Sequence, residues 1–310
     1  MNSINQKPCN DAHEFLEFLL PWKIVTWEGN YDVRPQLEDW IFRGQGQDII
    51  PIPLALRKDN EIIIQVKKYL TKYAGSFIIN EDSLQVGAEF DLLRDFLRAA
   101  DWQQNQLIGY DMKFRDKMLN KTTCEYFMSY PNKWLKGNEA YHYKYLELVA
   151  LAQHYRIPTR LLDWTERPLI AAYFAANRVI ELCDKESNGE NAEIVIWAMN
   201  RKVIENKTDE ERITFIGPTM AMNSNLAAQR GILTLLKNGE SYENLFKSYP
   251  KNIWKITLDK KHRFELLRQL FNMGIHAGTM FPSLEGAAKY AIERRYWPDN
   301  LLLDGDLRFT

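Results

Sequence analysis

Cysteine is scarce in this 310-residue chain: Cys9, Cys124 and Cys183 are odd in number and far apart. That spacing builds no disulfide framework, and the lack of any CxxC or CxxH pair removes the usual sequence mark of a zinc site. Long apolar runs are missing too. No stretch approaches the roughly 18 uninterrupted apolar residues that a membrane-spanning helix needs. The opening MNSINQKPCNDAHEF lacks the basic-then-apolar order of a secretory leader. The expectation is a cytoplasmic protein with no membrane partner. Charge of one sign is also lacking, since 40 basic residues face 41 acidic ones for a net charge of −1. No global basic field therefore draws the chain to nucleic acid, although a local groove, for example around Lys67, Lys68 and Lys72, is compatible with this balance. Walker, HExxH and GxSxG motifs are absent, which sets aside P-loop NTPases, zinc peptidases of that type and α/β-hydrolases. No metal is expected.

What is present is an ordinary globular composition: 45% hydrophobic and 26% charged residues put disorder aside. Helical spacing covers residues 10–22, with Asn10 or Asp11 placed to cap. Residues 37–44 alternate as a strand that closes at a glycine. Residues 60–80, 83–100 and 140–155 read as helices, the second through Phe90, Leu93, Phe96 and Leu97. After Pro158 the texture changes. Residues 159–164 form a short apolar strand, and 168–180 a helix with proline in its first turn. A charged loop at 185–191 leads to strands at 193–199, 231–236 and 253–258. Helices at 262–273, ended by Gly274, and at 283–294 close the reading. No repeat or linker divides the chain. The expected fold is a single α+β domain over residues 1–310, with its core at 35–292. A largely helical insertion at 60–155 packs on a small mixed β-sheet.

Two segments string polar groups through apolar texture. Trp40-Ile41-Phe42-Arg43-Gly44-Gln45-Gly46-Gln47, with Arg57 further on, puts a guanidinium at a strand end. Burying it is costly unless something anionic meets it, and its planar fork suits a phosphate or carboxylate. The glycines let backbone N–H groups approach a ligand. The plainer reading is an internal Arg–carboxylate pair beside a tight turn. The second segment runs from Leu151 to Ala175 and contains His154, Thr159, Arg160, Asp163, Trp164 and Thr165. Asp163 or Thr165 sits where strand gives way to helix, which is a capping position and also a ready site for an anion. His154 near a helix end suits packing as well as proton transfer. Trp164 and Tyr173 read first as core residues, and also as platforms for a planar ligand.

Together these stretches resemble the FRG-domain family. Phe42-Arg43-Gly44 with the downstream Pro-x-x-x-x-Arg, the Ala152-Gln153-His154-Tyr155 step, and Pro158-Thr159-Arg160-Leu161-Leu162-Asp163-Trp164-Thr165 carry the likeness. Phe281-Pro282-Ser283-Leu284-Glu285-Gly286 and Gln229 with Gly231 are similar to later family elements. Arg156 departs from a pattern that commonly has glycine after the His-aromatic pair. More distantly, the order aromatic-Arg-Gly, then Thr before a helix with Ala171 and Phe174, resembles ADP-ribosyltransferases. That resemblance implies an ADP-ribosyltransferase-like fold and NAD as substrate. Arg43, Thr165, Gln229 and Glu285 would be catalytic, and Arg43, Gly44, Gln45, Arg57, His154, Arg160, Asp163, Trp164 and Tyr173 would bind the dinucleotide. It also implies a nucleic-acid or protein acceptor, an antitoxin partner, and a place as toxin or phage-defence effector. Gly231 stands where such enzymes carry glutamate, which favours the alternative, a non-catalytic nucleotide- or protein-binding module of a defence system. A hydrolase acting on NAD or another nucleotide is a third reading.

Overall fold

The computed structural model describes residues 4–24, 37–73, 80–103, 112–135, 142–184, 189–207, 212–217, 224–237 and 239–296. Its centre is a seven-stranded mixed sheet. In chain order the strands are β1 (Asn5–Cys9), β2 (Trp40–Gln45), β3 (Leu161–Thr165), β4 (Glu193–Asn200), β5 (Ile213–Ile216), β6 (Gly231–Leu236) and β7 (Ile253–Asp259), and they lie in the order β1-β7-β4-β2-β3-β6-β5. β1 runs parallel to β7, and every other neighbour is antiparallel. The α+β expectation holds at this level.

Alternation of side chains sorts the core into layers. On one face Trp40, Phe42, Ile194, Ile196, Ala198, Ile256 and Leu258 join residues from the helices Ala12–Phe18, Pro168–Cys183 and Arg263–Asn272. Further along the same face Leu161, Leu233 and Leu235 carry the helices Glu81–Trp102, Met112–Leu119, Lys121–Ser129 and His142–His154. The opposite face is continuous: Ile41, Leu162, Trp164, Val195, Trp197, Met199 and Ile232 pack under the helix Tyr242–Ser248. β4 is covered on both sides, which is why it reads EIVIWAM without polar alternation beyond its first residue.

Between β2 and β3 every described element is helical, as the sequence implies for 60–155. Helix ends follow the side chains available to them. Asp11 accepts from Glu14 N–H, Asn80 from Ser83 and Ser283 from Gly286. Gly274, at φ 78, closes the Arg263–Asn272 helix in the left-handed conformation that glycine adopts without strain. Two strands go beyond the sequence reading. β1 contains Pro8 and little apolar residue, and β5 is four residues long; both are edges, where one pairing partner suffices and proline is tolerated. The helices Met112–Leu119, Lys121–Ser129, Arg201–Lys207 and Tyr242–Ser248 are likewise short and were not marked by periodicity. Residues 185–188 of the expected charged loop lie outside the described residues.

One buried ion pair fastens the helical segment to the sheet. Arg160, 4% exposed, donates from Nε at 2.6 Å and Nη2 at 3.0 Å to Glu89, also 4% exposed, which further accepts from Gln85 at 2.8 Å and Trp134 Nε1 at 3.2 Å. Removing one member strands the other charge in the core. Arg160→Met is therefore expected to lose about 3–5 kcal/mol in a urea titration. Arg160→Met combined with Glu89→Leu is expected to recover a large part of that loss.

Candidate functional site

The sheet is incomplete at its middle. β2 pairs with β4 over six positions but with β3 only at Phe42–Thr165. From Arg43 onward the two strands part. Phe42, Gly44, Asp163 and Thr165 point to the face carrying the two helical layers, so the parting lies between those layers. A groove of about 990 Å³ occupies it, a volume at the upper end of small-molecule sites.

Gly44 lets the first wall come close. A Cβ built there would meet Ala171 O at 1.9 Å and Ala175 N at 2.8 Å, so the Pro168–Cys183 helix lies directly on the β2 backbone. Arg43 takes the place of the missing ladder. Its Nη1 donates to the free Asp163 carbonyl at 2.6 Å, and its Nε donates to Gln45 Oε1 at 3.3 Å. Gln45 donates in turn to Ile49 O at 2.8 Å, which also receives the Trp197 indole at 3.1 Å. This chain of bonds holds the guanidinium in the groove wall, and among the described residues its Nη2 has no protein partner. Desolvation pulls the Arg43 pKa down, the Asp163 carboxylate opposes that, and nearby Arg57 adds to it. Two cations in mutual repulsion beside one carboxylate make this end of the groove receptive to an anion.

The opposite wall comes from the end of the His142–His154 helix. Gln153 donates to Asp163 Oδ1 at 2.8 Å and also contacts Thr159 Oγ1. Neither Asp163 nor Thr165 caps the Pro168–Cys183 helix: Arg167 is its N-cap and makes no side-chain capping bond. Thr165 instead donates to Gln229 O at 2.7 Å and accepts from Arg167 N–H at 3.0 Å, tying β3 to the turn before β6. Gln229 donates to Met280 O at 3.1 Å, so its side chain links that turn to the C-terminal helices.

Every sequence-expected site residue except Arg160 lines this one groove: Arg43, Gly44, Gln45, Arg57, His154, Asp163, Trp164, Thr165, Tyr173, Gln229 and Glu285. Arg160 is turned away to Glu89 and is a fastening of the fold. Lys67, Lys68 and Lys72 are not in the groove wall; Lys67 pairs with Glu81. Trp164 contributes an edge only, being 3% exposed with its indole donating to Thr234 at 2.9 Å. Glu285 sits on the rim with a side chain 65% exposed and paired at 2.9 Å with Lys289, which holds its carboxyl below the usual range. Among the described residues no cluster of three or more His, Cys, Asp or Glu is arranged to hold a metal.

Three wall residues go beyond the sequence reading of the site. Phe174 and Phe281 stand edge to face at 6.1 Å, both partly exposed in the groove. Glu293 lines it as well, at 4% exposure. Its signal in the sequence is spacing, since it lies seven residues after buried Gly286 and so on the buried face of its helix. Burial raises its carboxyl above the usual range.

Fold and groove thus define an α+β protein with a polar cleft at the parting of a mixed sheet. Residues 38–182 match the FRG domain family, and the chain carries an FRG domain over that stretch. No curated protein and no solved structure matches it. The matched segment runs from the start of β2 to the end of the Pro168–Cys183 helix, and so contains both sides of the sheet parting.

Gly44→Ala must push the Pro168–Cys183 helix off β2, and overpacking of this kind costs about 1–3 kcal/mol, readable as a lowered melting temperature. Glu293 yields a pH test. A folded-state pKa raised above the ordinary 4.5 means that the native state holds its proton longer than the unfolded chain does. Native stability therefore falls as pH climbs from the unfolded value through the folded one. Glu293→Gln lacks this slope, so its stability relative to the parent is expected to rise over that window in denaturant titrations at stepped pH.

Proposed function

We propose that the groove binds NAD and that the chain is an ADP-ribosyltransferase-like enzyme acting on a nucleic-acid or protein acceptor, in the role of a toxin or phage-defence effector. The observation that carries this reading is Arg43, a lining residue of the groove, fixed across the parted strands by Asp163 O and Gln45, with Nη2 unpartnered among the described residues and Arg57 nearby. A pyrophosphate answers that arrangement, because a guanidinium held in place needs no reorganisation to meet an anion. The groove's volume suits a dinucleotide, and Phe174 and Phe281 offer ring faces and edges to a planar base. In such a reaction, loss of nicotinamide leaves positive charge on the ribose. A carboxylate steadies that charge, as in glycoside cleavage. Glu285 at the rim is the group the family resemblance points to for this step.

One observation favours the second reading, a non-catalytic nucleotide-binding module. β6 opens with Gly231, which carries no carboxylate, and a side chain there would first have to displace the Leu226 side chain, whose Cδ1 lies 2.3 Å from a Cβ built at this position. The two readings share the anion-binding end and part at turnover.

Arg43→Lys separates the nucleotide readings from a purely structural one. Lysine keeps the charge but cannot bridge Asp163 O and Gln45 while also presenting a fork. Addition of NAD is expected to raise the melting temperature of the parent protein. In Arg43→Lys that rise is expected to vanish, with the unliganded melting temperature within a few degrees of the parent's. An Arg43→Lys protein that melts far lower but whose melting temperature still rises with NAD would mark Arg43 as a fastening of the fold only. Release of nicotinamide from NAD in the presence of acceptor, lost in Glu285→Gln, decides between enzyme and module.

A further inference from the structure

The groove holds a second polar feature that pyrophosphate binding leaves unused. Glu293 ends the Leu284–Glu293 helix and turns its carboxyl into the groove wall at 4% exposure. Oε2 accepts Ala277 N–H at 2.7 Å, whereas Oε1 is buried and has no hydrogen-bond partner. Tyr173 and Asn177, one turn apart on the Pro168–Cys183 helix, lie beside it and also face the groove. A buried polar atom with no partner is costly, and a ligand atom that meets it recovers the cost.

The chemistry of that atom limits the ligand. Three groups favour its ionised form, the Ala277 N–H and the side chains of Asn177 and Tyr173, and none of them is a cation; burial outweighs them. Burial therefore disfavours charge at this carboxyl, and no cation is among the groups acting on it. The complement of Oε1 is a neutral polar group rather than a cation. The Tyr173 hydroxyl and Asn177 amide beside it supply further donor and acceptor capacity for the rest of a planar polar head.

We propose that Glu293, with Tyr173 and Asn177, forms a subsite of the groove for an uncharged carboxamide, Oε1 hydrogen-bonding the ligand amide. The choice of probe rests on the NAD reading, because the nicotinamide ring of NAD carries such a carboxamide and ADP-ribose lacks it. Glu293 is distinct from Glu285: the first is enclosed, its carboxyl raised above the usual range by burial, and the second is solvated and paired with Lys289.

Isothermal calorimetry on the full chain, with NAD, ADP-ribose and free nicotinamide as separate probes, tests this. Glu293→Ala is expected to weaken NAD about tenfold and leave ADP-ribose nearly unchanged. Glu293→Gln, whose amide still donates, is expected to hold NAD near the parent's affinity. Tyr173→Phe leaves the Ala277 anchor intact and is expected to weaken NAD severalfold, which keeps the test open should Glu293→Ala fold poorly. Equal losses for NAD and ADP-ribose, or no loss for either, would overturn the subsite and leave Glu293 as an anchor of Ala277. A loss in Glu293→Gln as large as in Glu293→Ala would show a cationic head group and overturn the carboxamide assignment. If NAD does not bind the parent but nicotinamide does, and needs Glu293, the dinucleotide reading fails while the subsite stands. If NAD binds indifferently to Glu293, the subsite fails while the dinucleotide reading stands. If neither probe binds, both fall.

Discussion

Much of this site depends on a single hydrogen bond, from Arg43 Nη1 to the backbone oxygen of Asp163. A central sheet that parts between two strands leaves ladder groups unpaired, and buried backbone carbonyls without partners are rare because each is costly. The guanidinium meets that need on one side and faces the groove on the other. A hydrophobic side chain at position 43 would leave the Asp163 carbonyl orphaned. A second full ladder between β2 and β3 would close the groove. Arg43 allows the strands to part after Phe42–Thr165 and stay parted, so the site and the fold share one side chain.

The helical layers explain why the parting is stable. The strands on the β2 side carry the layer built on the Pro168–Cys183 helix, and β3 and β6 carry the layer built on the helices of residues 81–154. Each layer has its own apolar core and its own half of the sheet. The opposite face is shared and unbroken through Ile41, Trp164, Trp197 and Ile232. A continuous layer below and two separate layers above make a cleft without any strained backbone at β2 or β3. The walls are then set by packing: Gly44 fixes how closely the first helix lies, and the enclosed Glu89–Arg160 pair fixes how the second layer sits on β3.

Legibility in the sequence followed burial pattern. Strands covered on one or both faces, β2, β3, β4, β6 and β7, announced themselves by alternation or continuous apolar character. β1 and β5, at the edges, carry little of either. In the site, residues with chemistry out of place in apolar texture were readable: Arg43, Asp163, Thr165 and Gln229 all reach the groove. Arg160 obeys the same rule and does not belong there, because a polar group embedded in apolar sequence signals only that it has a partner. For Arg43 the partner is a backbone carbonyl and an open groove; for Arg160 it is Glu89, 71 residues earlier. Nothing local distinguishes the two, and only the tertiary pairing does. Glu293 was hidden for the converse reason. It lies in a charged-looking stretch, AIERRY, where a glutamate passes as a solvated helix end.

Arg156 shows how the second wall is made. It stands at φ 67, in the left-handed region that costs a residue with a Cβ roughly 1–2 kcal/mol. The strain follows from the turn: Arg156 N–H bonds to Gln153 O at 2.9 Å and Ile157 N–H to Ala152 O at 3.0 Å, which is how the His142–His154 helix is closed and handed to β3. Glycine at this position would make the same turn without strain. Arginine instead places a cation on the groove rim near Glu285, whose carboxyl feels both Arg156 and His154. The rim carboxylate is therefore acted on by Lys289, Arg156 and His154, while no cation is among the groups that shift the enclosed Glu293. Two glutamates of one helix, eight residues apart, meet opposite surroundings, and opposite surroundings drive their protonation apart. A groove with an acid held below the usual range at its mouth and one raised above it in its wall can meet a positive centre at the first and a neutral polar head at the second. A ligand that carries an anion, a cationic carbon and an amide in sequence would find a partner for each.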